Sequence, residues 1–124
     1  MLAIATFILY RGAMGPYSID DILNKANDLG LLIQDTEVFR NYRETADALA
    51  LDEKAAGMLD RYEGRLRELE ERRRGGDIIE KYEMEEIRDL AEDIEKNDLI
   101  MRHLAAKQEY VVLLERIQQS LTGD

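Results

Sequence analysis

His103 is the only histidine in the chain, so a search for metal or acid–base chemistry begins there. A helical zinc or di-iron site needs partners at HExxH or ExxH spacing, which put the ligands on one face. Positions 99 and 100 are Leu99 and Ile100, so neither design fits. A lone histidine on such a pattern reads as a surface or interface residue rather than a ligand. Acids are plentiful: Glu83, Glu85, Glu86, Asp89, Glu92, Asp93 and Glu95 crowd one stretch. Paired acids can bind a divalent cation or share a proton. Here they surround a helical pattern with an apolar seam of Ile87, Leu90 and Ile94, so most of them face water. The sequence has no cysteine, which removes disulfides, thiolate metal sites and thiol nucleophiles. Gly75-Gly76 lacks the GxxxxGK[ST] context and follows a helix rather than a strand. Ser18 and Ser120 are the only serines, and neither sits in a GxSxG elbow. These residues predict no catalytic group, no cofactor and no metal.

The elements that carry these residues centre on residues 52–97. Before Gly75-Gly76, Ala55, Leu59, Tyr62, Leu66 and Leu69 recur at spacings of four and three. After it, Ile87, Leu90 and Ile94 resume the rhythm. Each set makes one apolar stripe on a helix. Glycine reaches left-handed backbone angles without a Cβ clash, so the pair can end one helix and let the next fold back. The expected fold class is all-α: a helical bundle with a long antiparallel hairpin turning near Gly75-Gly76.

Upstream, Ser18 reads as an N-cap, with Asp20 and Asp21 in the first turn of a helix from about 19 to 33. Asp35 or Thr36 starts the next helix, with Val38, Phe39, Tyr42, Ala46 and Leu49 as its seam. Asp52 either caps a new helix after a short kink or lies inside a continuous one. Downstream, the second arm of the hairpin runs from about Ile79 to Lys96. Asn97 is expected to close it in the left-handed conformation, and Asp98 to cap the last helix. That helix carries a stripe broad enough for two neighbours, with Leu99, Ile100, Leu104, Val111 and Leu114 beside Tyr110, Leu113, Ile117 and Leu121. It can serve a monomer core and a dimer face together.

Arg72, Arg73 and Arg74 close the first arm. They read either as solvated charge favoured by the helix dipole or as a docking patch for an acidic partner or RNA. Glu68, Glu70 and Glu71 beside them weaken a sustained positive field. The candidate partner or dimer surface is Leu66, Leu69, Arg72, Arg73, Tyr110 and Leu114.

At 124 residues the chain suits one domain, expected over 18–124 after an apolar extension and linker over 1–17. Charged residues make up 35 %, above the usual quarter, which suits long helices with wet outer faces. The net charge is −10, from 17 basic and 27 acidic residues. It opposes general attraction to nucleic acid or anionic lipid. The run MLAIATFIL at the start is too short to span a bilayer and lacks a positive leader. Three readings of it stand: an ordered element packing on the body, an upstream start with Met14 as the natural one, or a weak membrane or export signal. The expected location is cytoplasmic.

From Ile19 to Leu121 the chain resembles the YlbF/YmcA family of small bacterial helical regulators. The carriers are Leu29-Gly30 shortly before Ile33; Phe39-Arg40-Asn41-Tyr42 followed by Ala46, Leu49 and Asp52; and a long charged helix reaching Gly75. Glu86-Ile87, Leu90, Asn97, Ile100, Ala106, Gln108, Tyr110, Leu113 and Leu114 continue the order. The resemblance implies an all-helical fold with a protruding hairpin and self-association or pairing with related subunits. It further implies a regulatory adaptor tied to competence, sporulation, biofilm development and control of RNA processing through partners. Two departures stand out. Asp98 replaces a proline seen in many relatives, and the cysteines linked to iron–sulfur clusters in some members are missing. The expected partners are proteins, with a homodimer or higher homo-oligomer, no direct nucleic acid binding and no membrane. A coiled-coil holdase or scaffold, gripping clients at its hairpin tip, is the alternative.

Overall fold

The structure, a computed structural model, describes residues 16–123. The expectations for the apolar start, Met14 and the linker up to residue 15 lie outside the described residues. Among the described residues there are five helices and no strand: α1 (Ile19–Gln34), α2 (Glu37–Leu51), α3 (Glu53–Arg74), α4 (Lys81–Glu95) and α5 (Asp98–Thr122). The all-α expectation holds. The chain divides into two units, one ending at Thr36 and one beginning at Glu37.

In the first unit, α1 starts as its sequence requires. The Ser18 hydroxyl accepts from the Asp21 N–H at 3.2 Å, and the Asp21 carboxylate accepts from the Ser18 N–H at 2.9 Å. This reciprocal box satisfies two amide groups that a helix start leaves without intrahelical partners. At the other end the Thr36 hydroxyl donates to the Ile33 carbonyl at 2.6 Å. Ile19, Ile22, Leu23, Leu31 and Leu32 are all exposed on this helix.

In the second unit, α2 runs along α5, and α3 pairs with α4 as the expected hairpin. The core lies where the helices meet: Leu49 from α2, Ala55 and Leu59 from α3, Ile94 from α4 and Ile100 from α5. Ile100 is fully enclosed. Burying an aliphatic side chain of this size contributes about 1.5–3 kcal/mol. Met58, Tyr62, Leu99 and Leu104 pack around the cluster. Of the predicted α3 seam, Ala55, Leu59 and Leu69 are buried and Tyr62 half-buried, while Leu66 stays exposed.

Short-range chemistry sets the breaks between helices. Asp52 leaves the helix, and its carboxylate accepts from the Ala55 N–H at 3.0 Å, so α3 restarts instead of running on from α2. Gly76 adopts φ +91, where a Cβ would be strained. The Asp77 N–H then reaches the Arg72 carbonyl at 2.9 Å and the Gly76 N–H the Arg73 carbonyl at 3.1 Å. This pair of bonds is a Schellman closure, which satisfies carbonyls at the end of α3. One expectation is corrected. Asn97 does not close α4 in the left-handed region; at φ −97 its side chain caps α5, accepting from the Ile100 N–H at 3.0 Å. Asp98 is the first helical residue instead, and there it pairs with Arg102 at 3.0 Å.

Candidate functional site

Ile100, His103, Ala106 and Tyr110 share one face of α5, at spacings of three, three and four. That face meets α2, so His103 is carried inward with its neighbours. It is 8 % exposed, which corrects the expectation of a surface or interface histidine. Its ring stacks on Tyr42 with centroids 5.6 Å apart, and Tyr42 stacks on Tyr110 at 4.9 Å. Phe39 meets the Tyr110 ring edge-on at 5.5 Å. Offset or edge-on ring contacts of this kind add to the area they bury.

The polar edge of the imidazole is served by Thr45. Its hydroxyl lies 3.1 Å from His103 Nδ1 and 3.0 Å from the carbonyls of Asn41 and Tyr42. The single hydroxyl proton can turn to a carbonyl or to Nδ1, and a neutral ring matches either choice through its two tautomers. Burial lowers the His103 pKa below 6.5; Lys107 lowers it further, and Glu63 acts weakly the other way. The ring is therefore favoured in its neutral form, hydrogen-bonded through Nδ1 and stacked on Tyr42. That is a satisfied core histidine.

Across the hairpin lies a second polar cluster. Glu83 is 4 % exposed, although the helical pattern placed most acids of this stretch in water. Arg72 Nη1 donates to its Oε1 at 2.5 Å and Nη2 to its Oε2 at 3.3 Å. Arg65 reaches the same Oε1 at 3.4 Å, and the Glu80 N–H donates to Oε2 at 2.9 Å. The Arg72 bond, then the Glu80 amide, hold the Glu83 carboxyl below the ordinary carboxylate range against the effect of burial. Arg72 also touches Asp77 at 3.4 Å, so one guanidinium ties the turn on both sides. Two sequence signals bear on this cluster. Glu83 lies three residues after Glu80, the spacing of a helix-start box. Arg65 and Arg72 flank Leu69 at four and three, on the buried side of α3.

The six candidate surface residues fall into two groups. Leu69 is buried in the hairpin, Arg72 is committed to Glu83 and Asp77, and Tyr110 is half-buried against Phe39 and Tyr42. Leu66, Arg73 and Leu114 are exposed. With Leu114 on α5, Val111, Val112 and Leu121 are exposed as well. Among the described residues no three histidine, aspartate or glutamate side chains are placed to hold a metal ion. No described helix is long and apolar enough to cross a membrane.

Comparison with known proteins fits this architecture. A family model described as control of competence regulator ComK, YlbF/YmcA, matches residues 22–124. A UPF0342 protein from Limosilactobacillus fermentum is 25 % identical over 103 residues, covering 83 % of this chain and 86 % of the relative.

Proposed function

The chain belongs to the YlbF/YmcA family, described by its control of the competence regulator ComK, and from that premise we propose a non-enzymatic regulatory adaptor. It self-associates through helical seams, docks protein partners in the cytoplasm, and influences developmental regulation or RNA processing through them. The observation that carries this reading is the C-terminal part of α5, where Leu114, four residues past Tyr110, and Leu121, seven further on, continue the face that fills the core yet stay exposed, with Val111 exposed beside them. An apolar row with that much water contact is the kind of surface a second chain covers. The Glu83 carboxylate is compatible with the same reading, because its oxygens are already taken by Arg72, Arg65 and the Glu80 amide.

Light scattering on the full chain tests self-association. A dimer or larger species that Leu114→Asp returns to monomer is expected; a strict monomer at high concentration overturns it. Crosslinked capture from the native host tests docking, and an empty capture counts against the adaptor. One feature favours the holdase alternative: Ile78, at the turn, is 81 % exposed, with Tyr82 exposed nearby in sequence. Suppression of client aggregation that Ile78→Ser abolishes would select it.

A further inference from the structure

Ile19, Ile22, Ala26, Leu29 and Ile33 follow one another along α1 at spacings of three, four, three and four. That alternation is the seam by which one helix packs along another. Leu29 and Ile33 are half-buried, but Ile19, Ile22 and Leu23 are exposed, and no residue of α1 is buried. A helix of 16 residues is only marginally stable in water by itself and depends on packing of its apolar face. The last helix has an apolar face in the same condition. Past Tyr110, Leu114 and Leu121 continue the core face of α5 and are exposed, with Val111 beside them. At 1.5 Å per residue, the rows Ile19 to Leu29 and Tyr110 to Leu121 are each roughly 15–17 Å long.

We propose that a second copy of this chain covers both rows. In the pair, α1 of each copy lies along the C-terminal part of α5 of the other, and the two copies close about a two-fold axis. This rests on the self-association proposed above and names the surfaces that meet. Area separates it from the simpler pairing of α1 with α1. Ile19, Ile22, Leu23, Val111, Leu114 and Leu121 are between 36 and 74 % exposed. They leave on the order of 600 Å² uncovered per chain, so a pair burying both rows on both copies removes about 1,200 Å², where stable interfaces begin. Two α1 rows meeting each other would bury roughly half of that, the extent of an incidental lattice contact. Ala26, between Ile22 and Leu29, leaves a shallow place in the α1 row where a leucine of α5 can sit. Each row meets the other kind once on each side of the axis, so none is left over and assembly stops at two.

The chain has no cysteine, so introduced cysteines report contacts without background. Full-length Ile22→Cys and Leu114→Cys proteins, distinguishable by size, are mixed, treated with a short bismaleimide and separated on a denaturing gel. The mixed product joining positions 22 and 114 is expected to exceed both self-linked products. In the double variant I22C/L114C the linker is expected to join two chains. A linker closed within one chain, or a predominance of 22-to-22 or 114-to-114 products, overturns the proposal. Ile22→Glu and Leu114→Glu are each expected to weaken the dimer at least about tenfold, because each puts a charge into an apolar contact. Ile78→Glu, at an exposed side chain outside both rows, is expected to leave it unchanged. Equal weakening by all three, or by none, also overturns it. The substituted positions are exposed, so the melting of α2 to α5 should survive in every variant. The two readings fail separately. A dimer that crosslinks through other positions keeps self-association and loses this pairing, whereas a strict monomer at high concentration loses both.

Discussion

Arg72 on α3 and Glu83 on α4 form a two-pronged ion pair across the hairpin turn, eleven residues apart in sequence. The planar guanidinium presents two parallel donors to two carboxylate oxygens, a geometry lysine cannot copy. Because Glu83 is buried, its charge depends on these donors. The same guanidinium meets Asp77, so the pair fixes both the pairing of the arms and the path of the loop between them.

Removing one partner should therefore cost more than removing both. Arg72→Ala leaves a buried carboxylate short of donors, and Arg72→Lys supplies a single donor nitrogen where two in a planar fork are used. Both are expected to lower the melting temperature by several degrees. Arg72→Met combined with Glu83→Leu should recover much of the loss, since an apolar pair of similar volume needs no desolvation. Thermal unfolding of the four proteins checks this, and a double variant worse than both singles would contradict it. Glu83 also contributes to acid sensitivity. Its folded pKa is depressed below 4.5, so its stabilisation is present above that value and is lost as pH falls through the folded pKa.

His103 predicts a second, higher pH window. Its folded pKa is depressed below 6.5 by burial and by Lys107. Between the folded and unfolded values the unfolded chain binds the proton and the folded chain does not, so stability rises with pH there. Acidification below 6.5 should destabilise the parent, and the loss should level off once pH passes the folded pKa. In His103→Gln, which retains a polar edge toward Thr45, that part of the slope should vanish. Urea unfolding at a series of pH values reads the difference directly. Identical slopes in the two proteins would contradict the assignment.

The helix breaks make a third set. Asp52→Ala removes the acceptor of the Ala55 N–H and should cost about 1 kcal/mol. Gly76→Ala forces a side chain into φ +91 and should cost about 1–2 kcal/mol. Nothing lies within 4 Å of the added methyl group, so that cost is conformational rather than steric. Chemical denaturation measures both, and Gly76→Asn should be milder than Gly76→Ala because asparagine tolerates the left-handed region.

Exposed and buried leucines of the same stripes should separate folding from association. Leu59→Ala empties space in the core and is expected to cost about 2–5 kcal/mol. Leu69→Lys should fail to fold or melt far lower, since it buries a charge in the hairpin. Leu66→Lys and Leu114→Lys should leave the melting temperature of the isolated subunit within a few degrees and reduce the mass seen by light scattering. A loss of fold in Leu114→Lys would place that residue in the core instead of on the surface.

Much of this was legible in the sequence because it is decided within four or five residues. Ser18 caps its helix and Gly76 turns the chain through contacts that never leave the local stretch, whereas the sequence left Asp52 open between a cap and a continuous helix. Asn97 was misplaced by one step because Asn97 and Asp98 are both good caps, and only the backbone angle at Asn97 tells which one precedes the first helical turn. The periodic leucines gave the faces of the helices in the same way, since helical geometry alone aligns residues three and four apart.

What the periodicity could not decide was which polar residues those faces would take inward. Glu83 and Glu85 are two positions apart on one acidic helix, yet Glu83 is buried and Glu85 is exposed. His103 looked like a lone surface imidazole until Thr45, 58 residues away, came to lie beside it. Burying such a group is unfavourable on its own and becomes acceptable only when a donor or acceptor arrives from another helix. By itself the sequence determined the helices and the hairpin turn, and the breaks at Asp52 and Asn97 were settled by the backbone. The tertiary structure decided the fate of Glu83, His103 and Arg72, because the energy of each depends on a partner that only folding brings near.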